Sequence, residues 1–286
     1  MIRLLPEERA SVYHYIHSVC GITLDDSKSY LVEGRLGGVA DRLGCASFSQ
    51  LLARAKADPS RALERSIIDA ITTNETLFFR DGAPFDLLRY KIVPELIDRR
   101  ARTGSARIRL WSAACSTGQE LYSIAILLKE LLGDPDRYGV QLIGTDISDG
   151  AVARASRGQF SIVEMSRGLT EELRARYFSA RAGGWQIRDE IRAMVSFRKL
   201  NLMQDFSALG RFDIIFCRNV AIYFNESDRR ALFTRVERAL EPGGYLVIGA
   251  MESLSGIAPQ FESKRYLRSV FYQSRNRPVG RREVSM

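Results

Sequence analysis

Between Arg109 and Ile126 the chain reads RLWSAACSTGQELYSIAI, and no other stretch limits the possible fold as strongly. Ile108 to Trp111 is a short run suited to a buried strand, and the small residues Ser112, Ala113 and Ala114 follow it. A polar turn, Cys115-Ser116-Thr117-Gly118, leads into a pattern with Leu121, Ile124, Ala125 and Leu128 on one helical face. Strand, small-residue turn and helix form the first unit of a doubly wound α/β sheet. Ligands of such sheets lie beyond the carboxyl ends of the strands, where strand order reverses. The turn carries only Gly118, so the glycine-rich dinucleotide fingerprint is absent, and no Gly-Lys-Ser/Thr phosphate loop follows. A ligand with a ribose and an adenine but no pyrophosphate suits this turn. An ordinary strand-to-helix corner without a ligand is the other reading, because a fold does not fix a function.

The 286 residues suffice for two domains with a sizeable core. No apolar run approaches the length of a membrane span and Met1–Ala10 lacks a signal-peptide core, so a cytoplasmic location without membrane insertion is expected. Cys20, Cys45, Cys115 and Cys217 show no paired spacing and read as reduced thiols. The net charge of +8 favours an acidic partner: nucleic acid, a membrane surface or an acidic protein.

Residues 1–71 read as a small helical domain. Val12, Tyr15, Ile16 and Val19 keep a helical period that Gly21 can end. A second helix can start near Asp25-Asp26 and use Leu31, Leu36, Val39 and Leu43. Ser47 can cap a third holding Leu51 and Leu52, and Asp58-Pro59 can open a fourth with Leu63, Ile67 and Ile71. On the second helix Lys28, Arg35 and Arg42 recur every seven residues and share a face, which is either solvated or a docking surface. His14 and His17 are the only histidines, and no carboxylate or cysteine cluster joins them. They read as packing or surface residues, and no metal site is expected.

Residues 72–100 hold a linker and a connecting helix, Pro84–Arg99. The linker, within ITTNETLFFR, is either a plain connection anchored by Phe78 and Phe79 or a strap over the ligand pocket. Residues 101–286 read as the α/β domain. Its second strand, Tyr138–Asp146, ends in an acid able to accept both ribose hydroxyls, and Ser148 caps the next helix. At about 158–194 the rhythm breaks into an inserted antiparallel flap, with β-like runs Gln159–Val163 and Trp185–Ile191 around a helix-like Thr170–Phe178. Strands Val195–Leu200, Phe212–Cys217 and Tyr245–Ala250 follow, with helix Glu226–Leu240 and a closing pair, Phe261–Lys264 and Ser269–Gln273. The tail from Arg275 is basic and reads as loose.

The motifs ITTNETLFFRD, LWSAACSTGQELYSIAI, GTDIS, Asn201-Leu202 and FDIIFCRNVAIYF, in that order and spacing, resemble the CheR family over nearly the whole chain. That family comprises S-adenosylmethionine-dependent methyltransferases of bacterial chemotaxis receptors. The resemblance implies a Rossmann-like methyltransferase domain with an inserted antiparallel β-subdomain, preceded by an all-helical domain. It places Asn74, Thr76 and Arg80 in a cofactor-contacting linker motif, Glu120 after the glycine turn, and Asp146 on the ribose. It also places Asn201 and Leu202 beside the adenine, Arg218 and Asn219 near the methionine moiety, and Tyr223 near the transferred methyl. Arg80 and Tyr223 form the implied catalytic pair, with Arg80 facing a carboxylate of either cofactor or substrate. Gln119 and Leu121 depart from the family's usual Glu and Pro at the start of the helix.

The implied reaction moves a methyl group to glutamate γ-carboxylates of chemotaxis receptors, leaving glutamate methyl esters and S-adenosylhomocysteine. The implied partners are the receptors' cytoplasmic methylation helices, which are acidic and which Lys28, Arg35 and Arg42 face. A monomer that binds no nucleic acid and no metal is expected. A basic methyltransferase of nucleic acid is an alternative, although no aromatic residues interleave the basic helix to make a stacking surface. A non-catalytic S-adenosylmethionine sensor is another, although Arg80, Asp146 and Tyr223 are intact.

Overall fold

A computed structural model of the chain describes residues 2–103 and 107–275. Helix α1 (Pro6–Cys20) starts on a proline whose φ is preset and stops at Gly21, whose backbone is left-handed. A 3-10 turn at Asp26–Lys28 precedes α2 (Ser29–Arg42). Because α2 begins later than Asp25, its buried stripe is Val32, Leu36, Val39 and Ala40. Leu31 is only half-buried and Leu43 is exposed. Ser47 caps α3 (Phe48–Ala57) by accepting from Gln50 N. Helix α4 (Ala62–Ile71) starts three residues beyond Pro59, and the Asp58 carboxylate accepts from Leu63 N at 2.9 Å to hold that delayed start. These helices enclose their own core, from Leu4 to Ile71.

The connecting segment is not one regular helix. It runs as α5 (Ala83–Leu87), a wider π-turn at Leu88–Ile92, and α6 (Val93–Thr103). Pro94 explains this, since its ring has no N–H and excludes the carbonyl one turn earlier, and the extra residue in the turn makes room. The Tyr90 carbonyl instead accepts from Tyr266 Oη at 3.3 Å.

The α/β part continues through β1 (Arg109–Ala113), α7 (Gln119–Leu132), β2 (Gln141–Asp146) and α8 (Asp149–Arg157). A 3-10 turn at Pro135–Tyr138 shortens β2 relative to the expected run from Tyr138. The inserted flap follows, with β3 (Gln159–Phe160), α9 (Ile162–Met165), α10 (Glu171–Tyr177), β4 (Phe178–Arg181), β5 (Gly184–Ile187) and α11 (Asp189–Arg192). It differs in detail from the two runs expected. Ile162 and Val163 enter a helix capped by Ser161, Asp189–Ile191 is helical, and Phe178–Arg181 supplies the outer strand of an antiparallel β3-β5-β4 sheet. The chain then forms β6 (Val195–Lys199), β7 (Phe212–Cys217), α12 (Glu226–Arg238), β8 (Leu240–Ile248), β9 (Phe261–Tyr266) and β10 (Ser269–Ser274). Pro242-Gly243-Gly244 lies within β8 as an irregularity in its pairing with β7, rather than before it. Beyond Arg275 the basic tail lies outside the described residues.

Among the described residues the main sheet has the order β6-β2-β1-β7-β8-β10-β9, with β6, β2, β1, β7 and β8 parallel and the last two strands antiparallel. Strand order reverses between β1 and β7, which pair from Leu110↔Ile214 to Ala113↔Cys217. Both faces are covered. Leu110, Ile214 and Phe216 face the core that α7 and the flap share, while Trp111, Phe212, Ile215 and Cys217 face the core beneath α12. No helix among the described residues is long and apolar enough to cross a membrane.

Candidate active site

At the carboxyl end of β1 the backbone coils through left-handed positions at Ala114 (φ 57), Ser116 (φ 52) and Gly118 (φ 96). Gly118 is required there, because a Cβ would sit 3.0 Å from that of Ala155 and 3.1 Å from the Phe197 ring. The coil is held from the end of β2. Asp146 Oδ2 accepts from Ser116 N at 2.8 Å and Asp146 Oδ1 from Ser148 N at 3.0 Å. Asp146 is 6% exposed, and burial raises its carboxyl above the usual aspartate value, against the opposing pull of those two N–H donors.

The linker is folded onto this turn. Ser116 Oγ donates to the Asn74 carbonyl at 3.1 Å, and Phe79 N donates to Ser123 Oγ at 2.9 Å. The Phe78 ring packs edge-on against Phe160 and Phe178 of the flap. Arg80 Nη1 donates to the Glu75 carbonyl at 3.0 Å. The residues on either side of Arg80, Phe79 (φ 50) and Asp81 (φ 69), are also left-handed. The strained non-glycine positions Phe79, Asp81, Ala114, Ser116 and Asn219 thus gather around one place, which is the usual signature of a functional site.

Arg218, at the end of β7, fastens the pieces together. Its side chain is 2% exposed; Nη1 donates to Glu120 Oε2 at 2.8 Å, and Nη2 to Asp81 Oδ2 at 2.6 Å and the Arg80 carbonyl at 3.0 Å. Glu120 Oε1 accepts in turn from Ser112 Oγ at 2.7 Å. Strand, helix and linker therefore share one buried charge network.

The cleft between them holds about 920 Å³ of open space, its mouth and adjoining solvent included. Asn74, Thr76, Arg80, Glu120, Asp146, Asn201, Leu202, Arg218, Asn219 and Tyr223 all line it. Two comparisons decide what family this is. The model described as "CheR methyltransferase, SAM binding domain" matches residues 74–269, and "CheR methyltransferase, all-alpha domain" matches residues 8–72. Chemotaxis protein methyltransferase Cher2 of Pseudomonas putida is 39% identical over 266 residues, covering 91% of this chain and 95% of that protein. Chemotaxis protein methyltransferase 1 of Pseudomonas aeruginosa is 38% identical over 266 residues with the same coverage. The chemotaxis protein methyltransferase of Vibrio parahaemolyticus is 38% identical over 275 residues, covering 95% and 98%. The chain belongs to the CheR methyltransferase family.

Its S-adenosylmethionine-binding domain carries a donor set that fits that ligand. A buried carboxylate at the end of β2 with lone pairs left over, an apolar wall at Ile147, Leu200 and Leu202, and the guanidinium of Arg80 have the chemistry to take ribose hydroxyls, an adenine and a carboxylate in turn. Two side chains at this site also hold the fold together. Asn201 Nδ2 donates to the Val19 carbonyl and its Oδ1 accepts from Met203 N, so its amide ties the sheet to α1. Gln119, in place of the family's usual Glu, is 1% exposed and donates from Nε2 to Glu164 Oε1, coupling the turn to the flap.

Lys28, Arg35 and Arg42 do not enter the cleft. Arg35 Nη1 donates to the Ile71 carbonyl at 2.6 Å and to Thr73 Oγ1 at 2.9 Å, which makes it a strut holding α2 beside the linker. Arg42 is exposed, and Lys28 pairs at the surface with Asp25. His17 Nε2 lies 2.7 Å from Asp228 Oδ2 and bridges α1 to the start of α12, while His14 is exposed. Cleft residues that motif reading missed are Cys20 and Ile22 from the helical part, Glu75, and Val220 and Phe224 beside Tyr223. Nothing local in or after α1 could have revealed Cys20 and Ile22; Thr23 N donates to the Tyr223 carbonyl at 2.9 Å and holds that segment at the cleft.

Proposed function

We propose that this chain methylates glutamate side chains of chemotaxis receptors, with S-adenosylmethionine as donor. The convergence of the linker, the β1 turn, Asp146, Asn201-Leu202, Arg218-Asn219 and Tyr223 in one cleft carries this reading. When bound, S-adenosylmethionine supplies an electrophilic methyl group on its sulfonium. Asp146 accepts the ribose hydroxyls, Asn201 and Leu202 flank the adenine, and Arg218, Asn219 and Glu120 shape the methionine end, with Asn74 and Thr76 closing over it. Arg80 and Tyr223 stand where the acceptor enters, and Arg80 offers a planar fork to a carboxylate. A glutamate side chain, with a pKa of about 4.3, is already ionised at neutral pH, so no residue of the enzyme has to remove a proton. The cleft's task is alignment and exclusion of water from that carboxylate.

The test is incubation with methyl-labelled S-adenosylmethionine and a receptor cytoplasmic fragment, followed by peptide mapping. Label is expected on receptor glutamates as a base-labile ester. Label recovered on nucleic acid, or no transfer to the receptor, would refute the reading.

The basic face of α2 lies next to the cleft because Arg35 bonds both the end of α4 and the linker. Lys28, which the structure places on the 3-10 turn ahead of α2 and not on the helix face expected, and Arg42, at the end of α2, are the cations suited to steering an acidic receptor, since reversing Arg35 would also disturb the linker. Lys28→Glu with Arg42→Glu should lower the methylation rate at limiting receptor and leave S-adenosylmethionine affinity intact. The deficit should shrink as salt rises and the Debye length contracts to about 8 Å at physiological ionic strength. Wild-type rates with an unchanged salt slope would mean that the face is merely solvated.

A further inference from the structure

Asn219 follows Arg218 at the end of β7, lines the cleft, and holds a left-handed backbone (φ 56), which asparagine adopts more readily than most residues with a side chain but which still needs to be held. The loop after β8 holds it there. Glu252 Oε2 accepts from Asn219 N at 2.7 Å and from Gly249 N at 2.7 Å. A Cβ on Gly249 would lie 2.6 Å from Glu252 Oε2, 2.8 Å from Asn219 Nδ2 and 3.1 Å from Asn219 N, so only glycine lets the loop close this tightly. The other carboxylate oxygen, Glu252 Oε1, is buried with no hydrogen-bond partner among the described residues. A half-satisfied buried carboxylate costs stability, and such groups in native folds mark a constraint other than stability.

We propose that Glu252 is a positioning residue for the methyl-transfer site. Bracketed by Gly249, it locks the Asn219 backbone and so sets the direction in which the Arg218-Asn219 step faces the cleft. This rests on the reading of the cleft as the S-adenosylmethionine site. One oxygen takes both hydrogen bonds, so the role needs an acceptor at that point and not a negative charge. The amide oxygen of glutamine can serve there.

Titration calorimetry with S-adenosylhomocysteine, thermal melting of the ligand-free protein and methylation kinetics together test this. Glu252→Ala should weaken S-adenosylhomocysteine binding by about tenfold or more, the size of one lost charge-assisted hydrogen bond. It should raise the KM for S-adenosylmethionine and leave the KM for the receptor fragment unchanged. Glu252→Gln should keep most of the affinity. Should alanine prevent folding, Glu252→Asp keeps the charge but withdraws the oxygen by one methylene, and the same loss of affinity is expected. If the unaltered protein binds no S-adenosylhomocysteine, the reading of the cleft fails. If it binds but the alanine or aspartate variant binds as tightly, or glutamine loses as much as alanine, Glu252 has no positioning role.

Discussion

Replacing Asp146 by alanine is expected to weaken S-adenosylhomocysteine binding about tenfold to 100-fold and to lower the stability of the protein as well, because two separate losses follow. In the proposed reading Asp146 takes the ribose hydroxyls, and a charge-assisted acceptor of that kind is worth about 1.5–3 kcal/mol. Its removal also leaves Ser116 N and Ser148 N without their partner, and those two bonds hold the left-handed turn in shape. Each buried donor left unpaired costs about 1–3 kcal/mol. Asp146→Asn keeps one acceptor oxygen and should fall between the two. Calorimetry on a folded alanine variant decides the matter, and undiminished affinity would remove Asp146 from the site. Burial raises this carboxyl, so it takes up its proton at a higher pH than an exposed aspartate does. Affinity should therefore begin to fall on acidification before exposed carboxylates titrate. The effect on folding has the opposite sign. A folded-state pKa raised above the unfolded one gives a contribution to stability that is present below the unfolded value and is lost as pH rises through the folded value.

Arg218→Met is expected to give the largest loss of stability. It strands Glu120, whose side chain is 14% exposed beside the β1 turn, and frees Asp81 and the Arg80 carbonyl from the network. Removing one partner of a buried ion pair costs about 3–5 kcal/mol, because the remaining charge has lost its compensation. Asp81 is more exposed and contributes less to that total. With the linker unfastened, Arg80 loses its placement and turnover should be lost as well. Arg218→Lys retains the charge but cannot reach Glu120 and Asp81 with two arms, so it should recover stability in part and turnover hardly at all. Thermal melting with S-adenosylhomocysteine titration checks both claims. A methionine variant that melts with the unaltered protein and binds normally would mean the network is incidental.

What was readable in the chain depended on how far apart the interacting residues lie. The β1 turn and α7, the caps at Ser47 and Ser148, and the apolar run Phe212–Cys217 are legible because their determinants lie within a few residues of one another. Where the local signal is weak, long-range pairing decides the structure. Phe178–Arg181 follows directly on α10 with little alternation, and only pairing with β5 makes it a strand. The π-turn at Leu88–Ile92 has a local cause in Pro94, but a proline near the start of a helix reads equally well as an ordinary first turn.

Motif order and spacing alone determined the fold class, the family and many of the residues that line the cleft, because each motif serves a local strand end or turn. Tertiary structure decided what those residues do to one another. Arg218 meets Glu120 across 98 residues and Asp81 across 137, and Asn201 meets Val19 across 182. Arg35 lies on a periodic basic face, yet its guanidinium holds the linker, and α1 supplies a wall of the cleft. Such pairings depend on the path of the whole chain and on burial, which converts scattered charges into one network; no spacing along the sequence encodes either.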